Sequence, residues 1–114
     1  MSEREETVES LAELMAAPVS DVLARLEGDE FTTLEFIELL RTDPVANAAY
    51  EEAVRRWGEQ ERTAKMVVHG QVVPLLLRAS PLVEWAGFAY GEEDSYAVPA
   101  RWRLLQQEER DRDQ

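Results

Sequence analysis

Apolar residues recur at helical spacing over the first two thirds of the chain and give way to short runs in the last third. Thr7 can cap a first helix running to Ala16, with Val8, Leu11, Leu14 and Met15 on one face and glutamates opposite. Ala17-Pro18-Val19 breaks it. Ser20 is an N-cap for a short second helix, where Val22, Leu23 and Leu26 are the apolar side and Gly28 the stop. Next, Thr32 and Glu35 have capping-box spacing, and Phe31 and Phe36 the spacing of a hydrophobic staple, so a helix starts here and runs to Arg41. Asp43 and Pro44 restart it as N-cap and first helical residue, and Gly58 closes it after Trp57. In this helix Val45, Ala49, Ala53 and Trp57 form one stripe, flanked by Tyr50 and Val54.

The stretch after the polar connector 58–62 has two readings. Ala64, Val67, Val68, Val72, Leu75, Leu76 and Ala79 fit a helix kinked at Pro74. Met66-Val67-Val68, His69-Gly70 and Gln71-Val72-Val73 also fit a two-residue hairpin. The helix matches more positions and is preferred. Ser80-Pro81 is a cap and first residue for a short helix over 82–86, stopped by Gly87. Residues 88–90, 91–94 and 95–98 then read as strand, turn and strand, with Pro99 ending the pairing. Residues 101–105 form a final extended segment returning to the core.

These elements define a mainly α fold with a C-terminal β-hairpin, an α+β single domain over 7–105. A flexible acidic N-terminus (1–6) and a charged flexible tail (106–114) flank it. At 114 residues one modest core is expected. The longest apolar run, 72–77, is far short of a membrane span, and the acidic start lacks the features of a signal peptide. A cytoplasmic protein without a membrane partner is the expectation. The absence of cysteine excludes disulfides and thiolate chemistry.

Charge divides the chain. Residues 1–54 carry 14 acidic and 3 basic side chains, whereas 55–103 carry 6 and 7. The net charge of −12 repels nucleic acid and favours solubility, a basic partner or life at high salt. Lys65 is the only lysine beside 11 arginines, a bias that suits a GC-rich genome or salt adaptation.

No chemical motif stands out. His69 is the only histidine, so paired-histidine metal sites are excluded, and no phosphate loop of the G-x-x-x-x-G-K kind occurs. Glu92-Glu93-Asp94 lacks the spaced ligands of a calcium loop. No catalytic residue, metal or cofactor is expected, and the protein reads as non-enzymatic.

Two resemblances follow from these residues. The stretch SLAELMAAPVSDVLARLEG looks like a small helix-turn-helix and resembles the opening helices of the N-terminal domain of bacterial translation initiation factor two. The layout of helices followed by a hairpin from Phe31 to Leu105 resembles the winged-helix superfamily. That resemblance implies a recognition helix over 63–79 and a wing tip at 91–95. Its nucleic-acid contacts would be Arg62, Lys65, His69, Gln71 and Arg78, with Arg101 and Arg103 beside the wing. Against DNA stand the three acids of the wing tip and the pI of about 4.4. Trp85, Phe88, Tyr90, Tyr96 and Trp102 cluster around the hairpin and are the candidate partner contacts. The first expectation is a regulatory or adaptor protein acting through protein contacts as a homodimer. The alternative is a DNA-associated transcription-type regulator.

Overall fold

The computed structural model describes residues 7–58, 60–89, 91 and 94–105. Tyr90, the acids at 92 and 93, and both expected flexible ends lie outside the described residues. Helix α1 (Val8–Ala24) is followed by the short strand β1 (Glu30–Thr32), α2 (Thr33–Leu40) and α3 (Pro44–Trp57). A long helical rod comes next: α4 (Glu61–Val67), a π-helical turn (Val68–Val72) and α5 (Val73–Ala79). Strands β2 (Val83–Phe88) and β3 (Ala100–Leu104) complete an antiparallel sheet in the order β1-β3-β2.

Pro18 does not end a helix. Helix α1 runs through it, so the expected helix-turn-helix is absent. An interior proline costs about 3 kcal/mol. An unbroken rod presents Leu11, Met15, Val19, Val22 and Leu23 to one core. Burying five such side chains contributes roughly 7–15 kcal/mol, which outweighs the proline.

The caps of α2 and α3 form as the sequence predicts. Thr32 accepts from Glu35 N–H, and the Glu35 carboxylate accepts from Thr32 N–H. The staple rings Phe31 and Phe36 lie 5.6 Å apart. Asp43 caps α3 through Ala46 N–H, which holds its carboxyl below the usual range with help from Arg25. Gly58 closes α3 in the left-handed region (φ +81°). Of the predicted stripe Ala53 is buried and Ala49 and Trp57 pack partly buried against the core, but its centre is shifted to Ala46, Tyr50 and Ala53, and Val45 points to solvent.

The rod from Glu61 to Ala79 is helical throughout, so the hairpin reading of 66–77 is wrong. Val73 N–H reaches back to Val68 O, five residues away. That wide turn inserts one residue and rotates the buried stripe. Val73 and Leu77 are buried where the simple helical period placed Leu75 and Ala79, which are exposed.

The largest departure is β2. Ser80-Pro81 does not start a helix; the Ser80 hydroxyl accepts from Leu82 N–H in a turn. The chain then enters β2, five residues before the predicted strand. Val83 pairs with Leu104, Glu84 with Arg103 and Trp85 with Trp102. The partner strand is the returning segment β3, not 95–98, which forms no strand. Central β3 also pairs with β1, Phe31 opposite Trp102.

Trp102 is the largest wholly buried side chain. Its indole Nε1–H donates to Thr33 Oγ1 at 2.8 Å, and Ala100 N–H donates to the same oxygen at 3.3 Å. Thr33 opens α2, so this pair ties the middle of the sheet to the helices. Thr33→Val is expected to lose about 1–3 kcal/mol of unfolding free energy in urea titration, because it orphans the indole N–H in the core. Thr33→Ser, which keeps the hydroxyl, is expected to lose less.

Candidate functional site

Two features stand out: a buried polar chain under the β2–β3 connection, and an aromatic pair on the edge of the sheet. The polar chain joins three elements. Tyr50 on α3, His69 in the π turn and Asp94 in the connection all have buried side chains. Tyr50 Oη lies 2.8 Å from His69 Nε2, and His69 Nδ1 lies 2.9 Å from an Asp94 carboxylate oxygen. A carboxylate only accepts, so His69 Nδ1–H donates to Asp94, and in the neutral imidazole Nε2 then accepts the Tyr50 hydroxyl proton. The other Asp94 oxygen accepts Tyr96 N–H at 2.9 Å. Every member thus has a partner.

The π turn makes this possible by carrying His69 inward between Tyr50 and Tyr96, whose ring lies 5.0 Å from the imidazole. Gly70 is next in the turn. A Cβ there would stand 3.3 Å from the Ala97 Cβ. Residues 94–97 therefore form a strap laid closely over the rod. Arg62 donates to Ser95 O at 3.4 Å, and Arg62 and Lys65 both lie over the Tyr96 ring, 5.9 and 5.6 Å from its centroid.

Chemically, this chain works as a lock that ties α3, the π turn and the connection together. Burial pushes the Tyr50 hydroxyl up to about 12, the opposite of what an activated nucleophile needs. The cleft of about 470 Å³ beside Tyr50 is lined by Arg41, Arg55 and Lys65 and by Glu51 and Glu61. Arg41 is paired with Glu51, Lys65 with Glu61, and Arg55 with Glu52. The two arginines that clasp Glu52, Arg55 and Arg56, hold its carboxyl at about 2. The lining cations are thus already matched. Among the described residues, no three His, Cys, Asp or Glu side chains stand together as metal ligands, and no helix is long and apolar enough to cross a membrane.

The aromatic pair is created by a bulge. Trp85 pairs with Trp102, but Phe88, three residues on, pairs with Ala100, two residues back. Gly87, in the left-handed region at φ +109°, absorbs the extra residue. A regular strand would put Trp85 and Phe88 on opposite faces. Here they share one and meet edge to face, centroids 5.6 Å apart. That face is the core side of the sheet, where Val83 at the start of β2 is buried but the two rings are not. Trp85 is 48% exposed and Phe88 46%.

The predicted partner contacts therefore separate. Trp85 and Phe88 form one exposed ridge. Tyr96 is half-buried against His69. Trp102 is a core anchor with no exposed surface, which corrects its assignment as a contact: its indole N–H needs a partner, and Thr33 lies inside. Tyr90 lies outside the described residues. Of the predicted nucleic-acid contacts, His69 is buried in the lock, a further correction. Arg62 and Lys65 are engaged with the strap and Glu61, Arg103 forms an ion pair with Glu84, and Arg101 donates to Ala86 O at 3.1 Å. Arg78 is exposed on α5, and so is Gln71 in the π turn.

Sequence reasoning missed the lock. Its one signal was Tyr50 at helical spacing from Ala46 and Ala53, which places a hydroxyl in the core. A scan against protein-family models matches none, and searches of curated proteins and of solved structures return no match.

Two outcomes are expected. A raised folded pKa means the unfolded chain loses the Tyr50 proton first, so stability present below pH 10 falls as pH climbs towards 12. The loss, read by urea unfolding against a Tyr50→Phe control, is at most about 3 kcal/mol. Gly70→Val is expected to lift the strap, speeding hydrogen exchange at Tyr96 N–H about tenfold or more.

Proposed function

We propose that this protein is a non-enzymatic regulator or adaptor that acts through protein contacts and pairs with a second copy of itself along β2. The observation that carries the reading is the Trp85–Phe88 ridge on an edge strand. Two aromatics that meet edge to face, each about half out of water on the outer strand of the sheet, are what an interface anchor looks like. An edge strand is its own antiparallel partner about a two-fold axis. Charge supports the same geometry. The ridge belongs to the near-neutral half of the chain, so pairing there keeps the two acidic halves apart.

The element order and the β1-β3-β2 sheet are compatible with a winged-helix layout, and we read the domain as winged-helix-like. Winged-helix-like layout does not by itself imply DNA binding. The engagement of Arg62, Lys65, Arg101 and Arg103 within the molecule, and the burial of His69, weigh against the DNA-regulator reading.

Sedimentation equilibrium at two salt concentrations tests this. The mass is expected to rise with concentration towards a dimer, and more so at high salt, which screens the −12 charge. Trp85→Lys with Phe88→Lys is expected to weaken self-association at least tenfold while circular dichroism stays unchanged. A monomer at all concentrations, together with salt-sensitive binding to duplex DNA, would overturn the reading in favour of the regulator.

A further inference from the structure

A second surface lies on the acidic half, between the C-terminal end of α1 and the α2–α3 corner. It consists of two adjoining hollows. The larger, about 480 Å³, is lined by Pro18, Asp21, Ala24, Arg25, Asp43 and Val45. The smaller, about 140 Å³, is lined by Val22, Arg25, Leu39, Thr42 and Asp43. They share the Arg25–Asp43 ion pair, 3.2 Å between nitrogen and oxygen, which forms the saddle between them. Val45 is 70% exposed and Leu39 42%, and each belongs to one hollow. The surface thus offers two apolar footholds separated by a polar crossing. An amphipathic helix presents that pattern through apolar side chains three or four residues apart.

Charge selects the occupant. Over residues 7–54 the cations are Arg25 and Arg41 alone, against 11 acids. Arg25 is held by Asp43 and Arg41 by Glu51. Asp21 lines the larger hollow, exposed Glu38 precedes Leu39, and exposed Glu27 follows α1. A second copy would bring the same acids against these and be repelled. A Lys- or Arg-rich amphipathic helix would be attracted, and its apolar face suits the two footholds on either side of the shared Arg25–Asp43 pair.

We infer that this groove docks a basic amphipathic helix of a partner protein. It uses none of the β2 residues, so it stands or falls apart from self-association. A protein with both surfaces is an adaptor: a paired core that carries two identical docking grooves.

The test uses the full chain and a fluorescein-labelled peptide, LKKLLKLLKKLLKL, followed by anisotropy at 0.15 M salt. A peptide of the same composition, scrambled so that its leucines do not share a face, is the control. The amphipathic peptide is expected to bind at least tenfold more tightly than the scrambled one. Val45→Asn with Leu39→Asn leaves the charge untouched and is expected to remove that tenfold preference. Trp85→Lys is expected to leave it unchanged, whatever it does to self-association. Equal binding of both peptides, no binding, or an unaffected Val45→Asn/Leu39→Asn variant would each overturn the inference.

Discussion

The hydrogen bond from the Trp102 indole to the Thr33 hydroxyl is the constraint on which the rest depends. A wholly buried tryptophan must place its N–H on an acceptor. Thr33 Oγ1 supplies it from the first turn of α2, just after Thr32 has capped that helix. The middle strand is thereby set against the start of a helix. Phe31 then falls opposite Trp102 on one side and Trp85 on the other. On β2, the outer strand beside β3, the core-facing aromatics Trp85 and Phe88 stay about half exposed. The buried tryptophan thus sets the face of Trp85, and the bulge at Gly87 brings Phe88 to the same face.

The Tyr50–His69–Asp94 chain holds the other end of the sheet. The connection between β2 and β3 is long, and a loop of that length is costly to order. Its anchorage is a buried side chain on the rod, reached through a π turn that shifts the stripe by one residue. Apolar burial alone would not specify that position. The polar chain does, since each donor has one acceptor within reach.

Local signals were legible where the chemistry is local. Thr32 with Glu35, Asp43 with Pro44, and Gly58 each mark a helix end that the structure reproduces. They failed where long-range packing decides. Pro18 carries a strong stop signal, yet the five buried apolar side chains of α1 override it. Ser80-Pro81 imitates a helix start, but Val83, Glu84 and Trp85 find partners on a strand some twenty residues away. The three-residue β1 is too short to announce itself, and the π turn hides its phase shift inside a plausible period of 3.6. For the site, Trp85 and Phe88 were readable as aromatics near a hairpin. Their shared face was not, since it depends on one extra residue at a bulge. Trp102 and His69 are residue types that carry both an apolar body and a polar N–H, so they serve in cores and at interfaces alike, and only the fold separates those uses.

The function proposed for this protein rests on the exposed Trp85–Phe88 ridge of β2. The central claim is that the outer edge of β2 is the place where one copy meets another. Amide hydrogen exchange of Val83–Phe88, recorded on the same protein at micromolar and at near-millimolar concentration, tests this most directly. Exchange across β2 is expected to slow at the higher concentration while α1 and α3 stay unchanged. Exchange in β2 that does not depend on concentration, alongside a mass that does, would place the self-contact elsewhere and contradict it.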